Sequence, residues 1–333
     1  MADNYDESDL RLVHALQIVP RAPWAQLAPP LGLSAATVGR RWAAIVDRGD
    51  AWISGYITAG RMSSGAIVEV DCVPDAVSDA AADMARLPTC LSIEVTSGGR
   101  DLLVTLVTRS IPDLSNKLEI LGRTTGVRRV RGNLITSIFA SGASWRLDAL
   151  APGQEEAIRR LAAPTPSGRV RQLDQLDEML SIALSRDGRA SAAELAQSLS
   201  VSINTVRRRV SGLLDSRVLE IRCDVTRAVS GHELAVTLWL VVPPQDLVGY
   251  ARRVSRMREI RLVVSVAGPY NLLIAAWLRH ATDLPDFESR LTHDADGVRI
   301  SDRSVVLRTV KHVGRLLDDS GRVCAAVPVD VWN

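Results

Sequence analysis

The sequence predicts an α+β fold of two tandem units, each with three short helices followed by a βαββαβ segment. Two observations support this expectation. A segment near the start of the chain recurs 168 residues later without a gap, so that Ser34 matches Ser202 and Thr37 matches Thr205. After each copy, the spacing of apolar residues changes from a helical period to one typical of strands. A chain of 333 residues is long enough for several such domains.

The second copy of the repeat is interpreted as two short helices joined by a tight bend. Ser202 suits the N-cap of the second helix, because its hydroxyl can accept an early backbone N–H. Apolar side chains then follow at the spacing of one helix face. The polar candidates at the start of this helix or off that face are Ser202, Asn204, Thr205, Arg207, Arg208 and Arg209. Such an exposed helix start can read base edges and phosphates as the recognition helix of a helix-turn-helix; an ordinary solvated helix is the alternative.

The first copy of the repeat predicts a similar helix-turn-helix with fewer side chains that can contact bases. Its matching candidates for DNA binding are Ser34, Thr37, Arg40 and Arg41. Its second helix is expected over residues 24–28, because the prolines at positions 29 and 30 lack the N–H needed to continue. The third helix is expected to turn residues 38, 42, 45 and 46 inward, with Gly49 as its stop. Two alanines at positions 35 and 36 replace an isoleucine and an asparagine of the second copy, so fewer groups can read bases.

A βαββαβ order follows each copy. In the first unit we expect strands at 66–72, 91–96, 102–108 and 127–138, with helices at 75–86 and 111–121. In the second unit we expect strands at 234–242, 260–267, 272–278 and 298–310, with helices at 245–257 and 282–291. This order is the ferredoxin-like pattern, an antiparallel sheet with both helices on one face. The other face is apolar and must find a partner, within the chain or in a second chain.

Domain boundaries follow from the repeat and from a linker rich in proline, serine and glycine between the halves. The expected segments are a first helix-turn-helix domain (1–58), a first ferredoxin-like domain (59–145), a linker with a short helix (146–171), a second helix-turn-helix domain (172–226), a second ferredoxin-like domain (227–316) and a tail (317–333). Apolar residues alternate in the tail, which is therefore expected to be an edge strand that pairs within the chain or with another chain.

Composition excludes several classes of protein. The net charge of +2 excludes a strongly basic nucleic-acid coat protein, and an aromatic content of 4% still allows ordinary cores because 47% of residues are hydrophobic. No apolar run is long enough to predict a membrane span, and the acidic start does not suggest a secretory signal. The four cysteines are scattered without metal-ligand spacing, which favours a reduced cytoplasmic protein with no cofactor and no metal.

The chain resembles the Lrp/AsnC family of transcriptional regulators, in which a winged helix-turn-helix precedes a ferredoxin-like, RAM-type effector domain. The resemblance rests on LDQLDEML from Leu173, DGRAS from Asp187, ELA from Glu194, VSINTVRRRV from Val201 and VSVAGPYNLL from Val264. It covers about residues 173–312 well and 5–139 more loosely. Two complete units in one chain look like the double-length form found in actinobacteria with GC-rich genomes.

What the resemblance implies is an effector-responsive regulator that binds double-stranded DNA near the nucleoid, not an enzyme. Its two ferredoxin-like units are expected to pair as a pseudo-dimer, and a homodimer or higher homo-oligomer is favoured. The family binds small effectors, often amino acids, near the loop between the second and third strands. Carried over to this sequence, the effector-binding candidates are Gly268, Tyr270, Asn271, Gly98, Arg100 and Asp101. Asn271 replaces the usual aspartate, so the second site lacks that charge.

Two other functions stay open at this stage. A sensor or assembly protein without DNA binding is suggested by the double proline and by nearly neutral helix-turn-helix segments. A tetrapyrrole decarboxylase is suggested by relatives of similar architecture, which place histidines beside the strands of the effector domain. The histidines of this chain lie outside the strands before the two central loops, at positions 14, 232, 280, 293 and 312, and no other arrangement typical of an active site is found.

Overall fold

The computed structural model describes residues 5–58, 64–162 and 173–332. The chain begins with a winged helix-turn-helix, whose elements are α1 (Glu7–Ile18), α2 (Trp24–Leu31), α3 (Ala35–Asp47) and β1 (Ala51–Ile57). The expected stop of α2 before the prolines is wrong. The helix runs through both prolines to Leu31, which is buried, and Gly32 ends it with a left-handed φ of 67°. Burial of Leu31 in the core outweighs the backbone hydrogen bonds that the prolines cannot make.

The two other differences in this domain concern exposure and a strand. Val46, expected inside, is 42% exposed at the end of α3, whereas Val38, Trp42 and Ile45 are buried as expected. Strand β1 was not expected as a separate element, because its sequence AWISGYI has no alternation of polar and apolar residues. Its burial pattern explains this, since both faces of the strand are largely covered.

The first βαββαβ segment agrees with expectation in order and nearly in bounds. A short 3-10 turn precedes its first helix. Its elements are β2 (Ser64–Cys72), α4 (Val77–Ala85), β3 (Cys90–Thr96), β4 (Leu102–Thr108), α5 (Ile111–Gly122) and β5 (Val127–Ala140). The connecting segment then forms α6 (Pro152–Arg159), which packs on the first helix-turn-helix through the fully buried Ile158. The proline-rich linker expected at 164–168 lies outside the described residues.

The second unit repeats this order. Its DNA-binding domain contains α7 (Gln175–Arg186), α8 (Ala192–Ser198), α9 (Ile203–Asp215), β6 (Leu219–Val225) and the single-turn helix α10 (Arg227–Ser230). Its βαββαβ segment contains β7 (Leu234–Val241), α11 (Leu247–Val254), β8 (Ile260–Ala267), β9 (Leu272–Leu278), α12 (Leu284–Thr292) and β10 (Arg299–His312). Gly126 and Gly297 precede the last strands with φ of 82° and 75°, a conformation that favours glycine.

The two ferredoxin-like sheets pair within the chain. Strand β5 pairs antiparallel with β8, and β3 pairs antiparallel with β10, so the two sheets join along both edges. Because β7 also pairs with β10, eight of the described strands close into an antiparallel barrel. The helices lie outside, and the apolar faces that needed a partner line the interior, where Ile67, Trp239 and Leu273 meet. The pseudo-dimer expected from the sequence is therefore formed inside one chain.

The tail also folds back on its own chain. It adds β11 (Arg315–Leu317) and β12 (Val323–Ala326) to the edge of β10. Beyond β12, Val331 is buried against the second helix-turn-helix, and Val329 N donates a hydrogen bond to Ser185 Oγ at 3.1 Å. The alternating apolar residues thus pack within the chain. No helix in the described part of the chain is long and apolar enough to cross a membrane.

Candidate nucleic-acid interface and effector turns

The recognition helices α3 and α9 begin with the same cap. Ser34 Oγ accepts a hydrogen bond from Thr37 N at 3.1 Å, and Ser202 Oγ accepts one from Thr205 N, also at 3.1 Å. Each serine hydroxyl also lies within 2.8 or 2.9 Å of the threonine hydroxyl. These bonds satisfy early N–H groups that have no partner inside a helix. The cap therefore fixes the first turn, where a recognition helix meets DNA.

The two recognition helices present different groups to solvent. On α9, the exposed residues include Ile203, Asn204, Arg207 and Arg208. On α3, the exposed polar groups at matching positions are reduced to the cap and Arg40, because alanines occupy the first turn. An asparagine can pair with adenine and an arginine with guanine or phosphate. The second helix-turn-helix therefore carries most of the groups that could read sequence.

Two of the candidate arginines are engaged inside their own domains. Arg41 Nη1 lies 2.8 Å from carboxylate oxygens of both Asp6 and Asp9 on the N-terminal side of the domain. The equivalent Arg209 Nη1 lies 2.7 Å from Asp174 and 3.2 Å from Asp177, which is fully buried. The hydrogen bonds that Arg41 donates to Asp9 and Asp6 raise the pKa of its guanidinium. These two arginines tie the recognition helix to the first helix of each domain, which leaves them less free for DNA.

A reciprocal pair of arginines joins the two helix-turn-helix domains. Arg189 donates hydrogen bonds to Pro20 O at 2.6 Å and Ala22 O at 3.0 Å. Its counterpart Arg21, 168 residues earlier, donates to Gly188 O and, at 3.0 Å, to Ala190 O. Strands β1 and β6 also pair antiparallel, with Ser54 opposite its own repeat counterpart Arg222. A pseudo-twofold axis therefore passes through the β1–β6 ribbon. The ribbon and the two arginines hold both helix-turn-helix domains in one relative position, and we call this set of contacts the frame.

In each strand–loop–strand turn, one polar side chain forms hydrogen bonds with backbone groups of its own unit. Asp101 Oδ2 accepts a hydrogen bond from Cys72 N at 2.7 Å. Its counterpart Asn271 accepts one from Val242 N at 2.9 Å and donates one to Val242 O at 2.6 Å. The amide therefore keeps the acceptor that the carboxylate supplies in the first unit and adds a donor. Both side chains hold the strand ends together in this structure.

The turns also contact the opposite unit. The buried Arg100 forms ion pairs with Glu69 and with Asp302, and its guanidinium lies 3.7 Å from the ring centre of Trp239. Gly268 lies so close to the first unit that a Cβ there would come within 2.4 Å of Asn133 Oδ1. Gly98 similarly faces β10, and Tyr270 packs partly buried against the barrel interior. Four of the six effector candidates, Gly98, Arg100, Gly268 and Tyr270, thus lie at the pairing surface between the units, where Arg100 already has protein partners.

A charged cluster that the sequence did not reveal lies where β6 meets one end of the barrel. The buried Asp224 forms an ion pair with Arg222, and its Oδ1 lies 3.7 Å from both Arg261 Nη2 and His312 Nε2. Burial alone raises the pKa of Asp224, but Arg222 and His312 hold it well below its usual range. Arg261 lies 4.0 Å from the ring centre of Trp277, and burial lowers its pKa to about 9. In the sequence, this cluster is marked only by two charged residues, Arg222 and Asp224, at alternate positions of strand β6.

Together, the two capped recognition helices and the barrel define a double-length, DNA-binding protein of the helix-turn-helix class. Residues 6–44 and 173–214 match the AsnC-type helix-turn-helix domain, and residues 65–144 match the Lrp/AsnC ligand binding domain. The chain belongs to the Lrp/AsnC family of transcriptional regulators. Within the described residues, no group of three or more histidine, cysteine or acidic side chains could hold a metal ion.

Two relatives each match about one unit of this chain. An uncharacterized HTH-type transcriptional regulator of Pyrococcus horikoshii is 27% identical over 146 residues, which are 44% of this chain and 98% of the relative. The HTH-type transcriptional regulator LrpA of the same organism is 25% identical over 142 residues, 42% of this chain and 99% of the relative. Over the whole chain, the siroheme decarboxylase NirDL has a similar fold, with a TM-score of 0.60 and 12% identity, covering 92% of this chain and 93% of that one.

Proposed function

We propose that this chain regulates transcription by placing two unlike helix-turn-helix domains on one DNA site, in response to a small-molecule effector. The observation that carries the proposal is the frame formed by the reciprocal arginines and the β1–β6 ribbon. Two modules on one frame bind more tightly than either alone, because the second contact becomes intramolecular. Half-sites about one helical turn, or a multiple of it, apart are expected for such a pair.

The proposed division of labour follows the exposure of the side chains. Asn204, with Ser202 and Thr205 beside it, would read bases, whereas Arg207 and Arg208 contact phosphates or guanine. In the first domain, Ser34, Thr37 and Arg40 would contact mainly the backbone. Arg41 and Arg209 act as positioning residues, because their ion pairs hold the recognition helices. The operator is therefore expected to have one informative half and one degenerate half.

The test begins with selection of genomic fragments by the purified full-length protein, followed by fluorescence anisotropy on the enriched sequence. Replacing Arg207 and Arg208 by alanine should weaken binding to every sequence and reduce the slope of log K against log salt by about 2, since each phosphate contact contributes about 0.9. Asn204→Ala should instead flatten the preference among sequences. The matched control is Arg252→Ala, another exposed arginine, on α11 of the second barrel unit.

Three outcomes would separate this proposal from its alternatives. Salt-independent binding, or equal affinity of the double arginine variant, contradicts DNA binding through α9. Failure to enrich any fragment, with or without an amino-acid pool, supports a sensor without DNA binding. A change in the absorbance of an added tetrapyrrole, accompanied by loss of carbon dioxide, supports the decarboxylase function that the fold of NirDL suggests. Light scattering over a range of concentrations measures whether copies of the chain also associate.

A further inference from the structure

A cavity of about 190 Å³ lies inside the barrel, and we name it the barrel cavity. Both units line it, since Leu103 belongs to β4 of the first unit and Leu273 to β9 of the second. The β1–β6 ribbon contributes Tyr56 and Arg222. None of the six effector candidates from the strand–loop–strand turns lines the barrel cavity. This space is therefore separate from the sites that the family resemblance indicated.

The walls of the barrel cavity are mainly apolar. Ile67, Leu103 and Leu273 belong to the cluster that forms where the inner faces of the two sheets meet. Leu262 and Ile135 pack against the same cluster and also line the cavity. Apolar walls give water few hydrogen bonds, and an apolar cavity of about 150 Å³ is large enough to bind benzene. A small apolar ring therefore suits this space better than ordered water does.

One carboxyl group, that of Glu94, faces this apolar space. Its neighbour Ile93 is buried in the cluster beneath the helices of the first unit, so the alternation of strand β3 turns Glu94 to the inner face of the sheet. Among the described residues, the Glu94 carboxyl forms no hydrogen bond and no ion pair. A buried polar group without a partner has lost its bonds to water and gained none in return. A ligand that donates a hydrogen bond to Glu94 would recover that loss.

The charges around the barrel cavity are balanced. Arg222 and Arg261 line it, but Asp224 forms an ion pair with Arg222, and its Oδ1 lies 3.7 Å from Arg261 Nη2. Burial raises the pKa of Glu94 to about 7, although Arg227 and Arg261 lower it, so this carboxyl is about half protonated at neutral pH. A carboxyl group can accept a hydrogen bond in either protonation state. Since a charged ligand would pay for its own desolvation without an unpaired opposite charge, a neutral ligand is favoured.

We propose that the barrel cavity binds a small neutral molecule with an apolar ring and one hydroxyl group, which donates a hydrogen bond to Glu94. The ring packs between Leu103 and Leu273. These two leucines are counterparts at the 170-residue offset that also relates Asp101 to Asn271. The ring therefore lies between equivalent strands of the two units.

The repeat shows that only one unit supplies the polar group. At the same offset of 170 residues, the counterpart of Glu94 is Val264, which is fully buried in the interior cluster. An apolar side chain therefore fits this position of the sheet, and packing alone does not require a carboxyl in the first unit. With one acceptor on one side of the cavity, the ligand is expected to bind in one orientation and as one molecule per chain.

A ligand in the barrel cavity would contact the frame as well as the barrel. Tyr56 and Arg222 belong to the ribbon that joins the DNA-binding domains, whereas Leu103 and Leu273 belong to the barrel. A ligand that fits one position of the ribbon on the barrel better than others favours that position, and it changes DNA affinity by this preference. This regulatory step rests on the proposed function, but binding of the neutral ligand does not.

The experiment measures binding of four probes to the full chain by calorimetry. Phenol carries the ring and the donor, toluene has nearly the same shape without the donor, and benzylamine and benzoate carry opposite charges. We expect phenol to bind with one molecule per chain. Benzylamine and benzoate should bind at least tenfold more weakly than phenol, because each brings an unpaired charge into an apolar space.

Two variants locate the bound ring and its hydroxyl group. Glu94→Val introduces the residue of the second unit and should weaken phenol at least tenfold relative to toluene, because the phenol donor loses its partner. Glu94→Gln keeps an acceptor and should restore most of that difference. Ala275→Leu fills the cavity that Ala275 lines, so it should abolish binding of both probes. The matched controls are Glu119→Val and Ala82→Leu, at exposed positions of α5 and α4.

Other results would overturn the proposal. Absence of phenol binding contradicts it, as does tighter binding of benzylamine or benzoate. Equal weakening of phenol and toluene by Glu94→Val would mean that the carboxyl does not accept the hydrogen bond. Unchanged phenol binding in a folded Ala275→Leu variant would place the ligand elsewhere. Anisotropy of the enriched DNA is measured separately with and without phenol. If the chain binds no DNA but phenol still binds through Glu94, the proposed function fails while the ligand site stands.

Discussion

Arg189 is predicted to hold the two recognition helices at a fixed separation, and replacing it by alanine tests this role. The guanidinium donates to Pro20 O at 2.6 Å and to Ala22 O at 3.0 Å, and it lies 3.6 Å from the ring centre of Trp24. Burial and the neighbouring Arg21 lower its pKa to about 10, so it stays charged at neutral pH. Arg189 therefore joins the second DNA-binding domain to the first by three contacts.

The magnitude follows from those contacts. A hydrogen bond from a charged donor contributes about 1.5–3 kcal/mol, and a partly buried cation–π contact about 1 kcal/mol. Arg189→Ala should thus weaken the interface between the domains by about 4–7 kcal/mol. Arg21 and the β1–β6 ribbon remain, so the chain should stay folded. The frame should nevertheless loosen, and the gain from joining two modules, on the order of 10²–10⁴ in affinity, should shrink.

The assay compares a complete operator with a single half-site by fluorescence anisotropy. We expect Arg189→Ala to reduce affinity for the complete operator at least tenfold while leaving affinity for the half-site unchanged. Arg86→Ala is the control, because Arg86 is exposed and its ion pair among the described residues is with Asp83 in its own helical segment. Unchanged affinity for the complete operator, in a variant that is shown to be folded, would refute the reasoning.

Three further predictions concern other parts of the molecule. Arg41→Ala should lower the free energy of unfolding by about 1–2 kcal/mol, because two hydrogen-bonded ion pairs are lost. Arg40→Ala should weaken DNA binding without changing the melting midpoint. Equal effects of the two variants would contradict the proposal that Arg41 positions the helix and Arg40 contacts DNA. Gly268→Ala should destabilise the barrel by about 1–3 kcal/mol, because the added Cβ would collide with Asn133 of β5. Gly99→Ala is the control, since no described atom lies within 4 Å of a Cβ added there. Calorimetry compares the unfolding of the two variants. Burial raises the pKa of Glu94 above its value in the unfolded chain, so ionisation of this carboxyl opposes folding. The free energy of unfolding of the wild type should therefore fall as pH rises from about 4.5 to about 7, by at most about 3 kcal/mol. Thermal melts of Glu94→Gln, measured in parallel, should not show this fall.

Most of the fold could be predicted from the chain itself, and particular elements show why. Strands β4, β8 and β9 have the bounds that alternating or continuous apolar residues predicted. The caps at Ser34 and Ser202 formed as local chemistry required, because a cap depends only on residues within one turn. The predicted end of helix α2 was wrong, because burial of Leu31 in the core outweighed the tendency of two prolines to end a helix.

The candidate site could be predicted only in part. The exposed residues of α9 were recognisable because a recognition helix is a local feature with a periodic apolar face. The engagement of Arg41 and Arg209 was not, since their acidic partners lie 32 or more residues away in sequence. The barrel cavity had no sequence signal, because Glu94 and Leu273 come together only when distant strands pair.

The amino-acid sequence alone determined the family, the repeat, the order of elements and the chemistry of the recognition helices. These features depend on periodicity, capping and self-similarity, all of which act over a few residues or between two aligned copies. Only the tertiary structure decided that the two sheets close into one barrel within the chain. It also decided that Arg100 is held by Asp302 and that a cavity lined by both units lies inside the barrel. Those outcomes depend on which distant surfaces meet, and that is set by the burial energy of the whole chain.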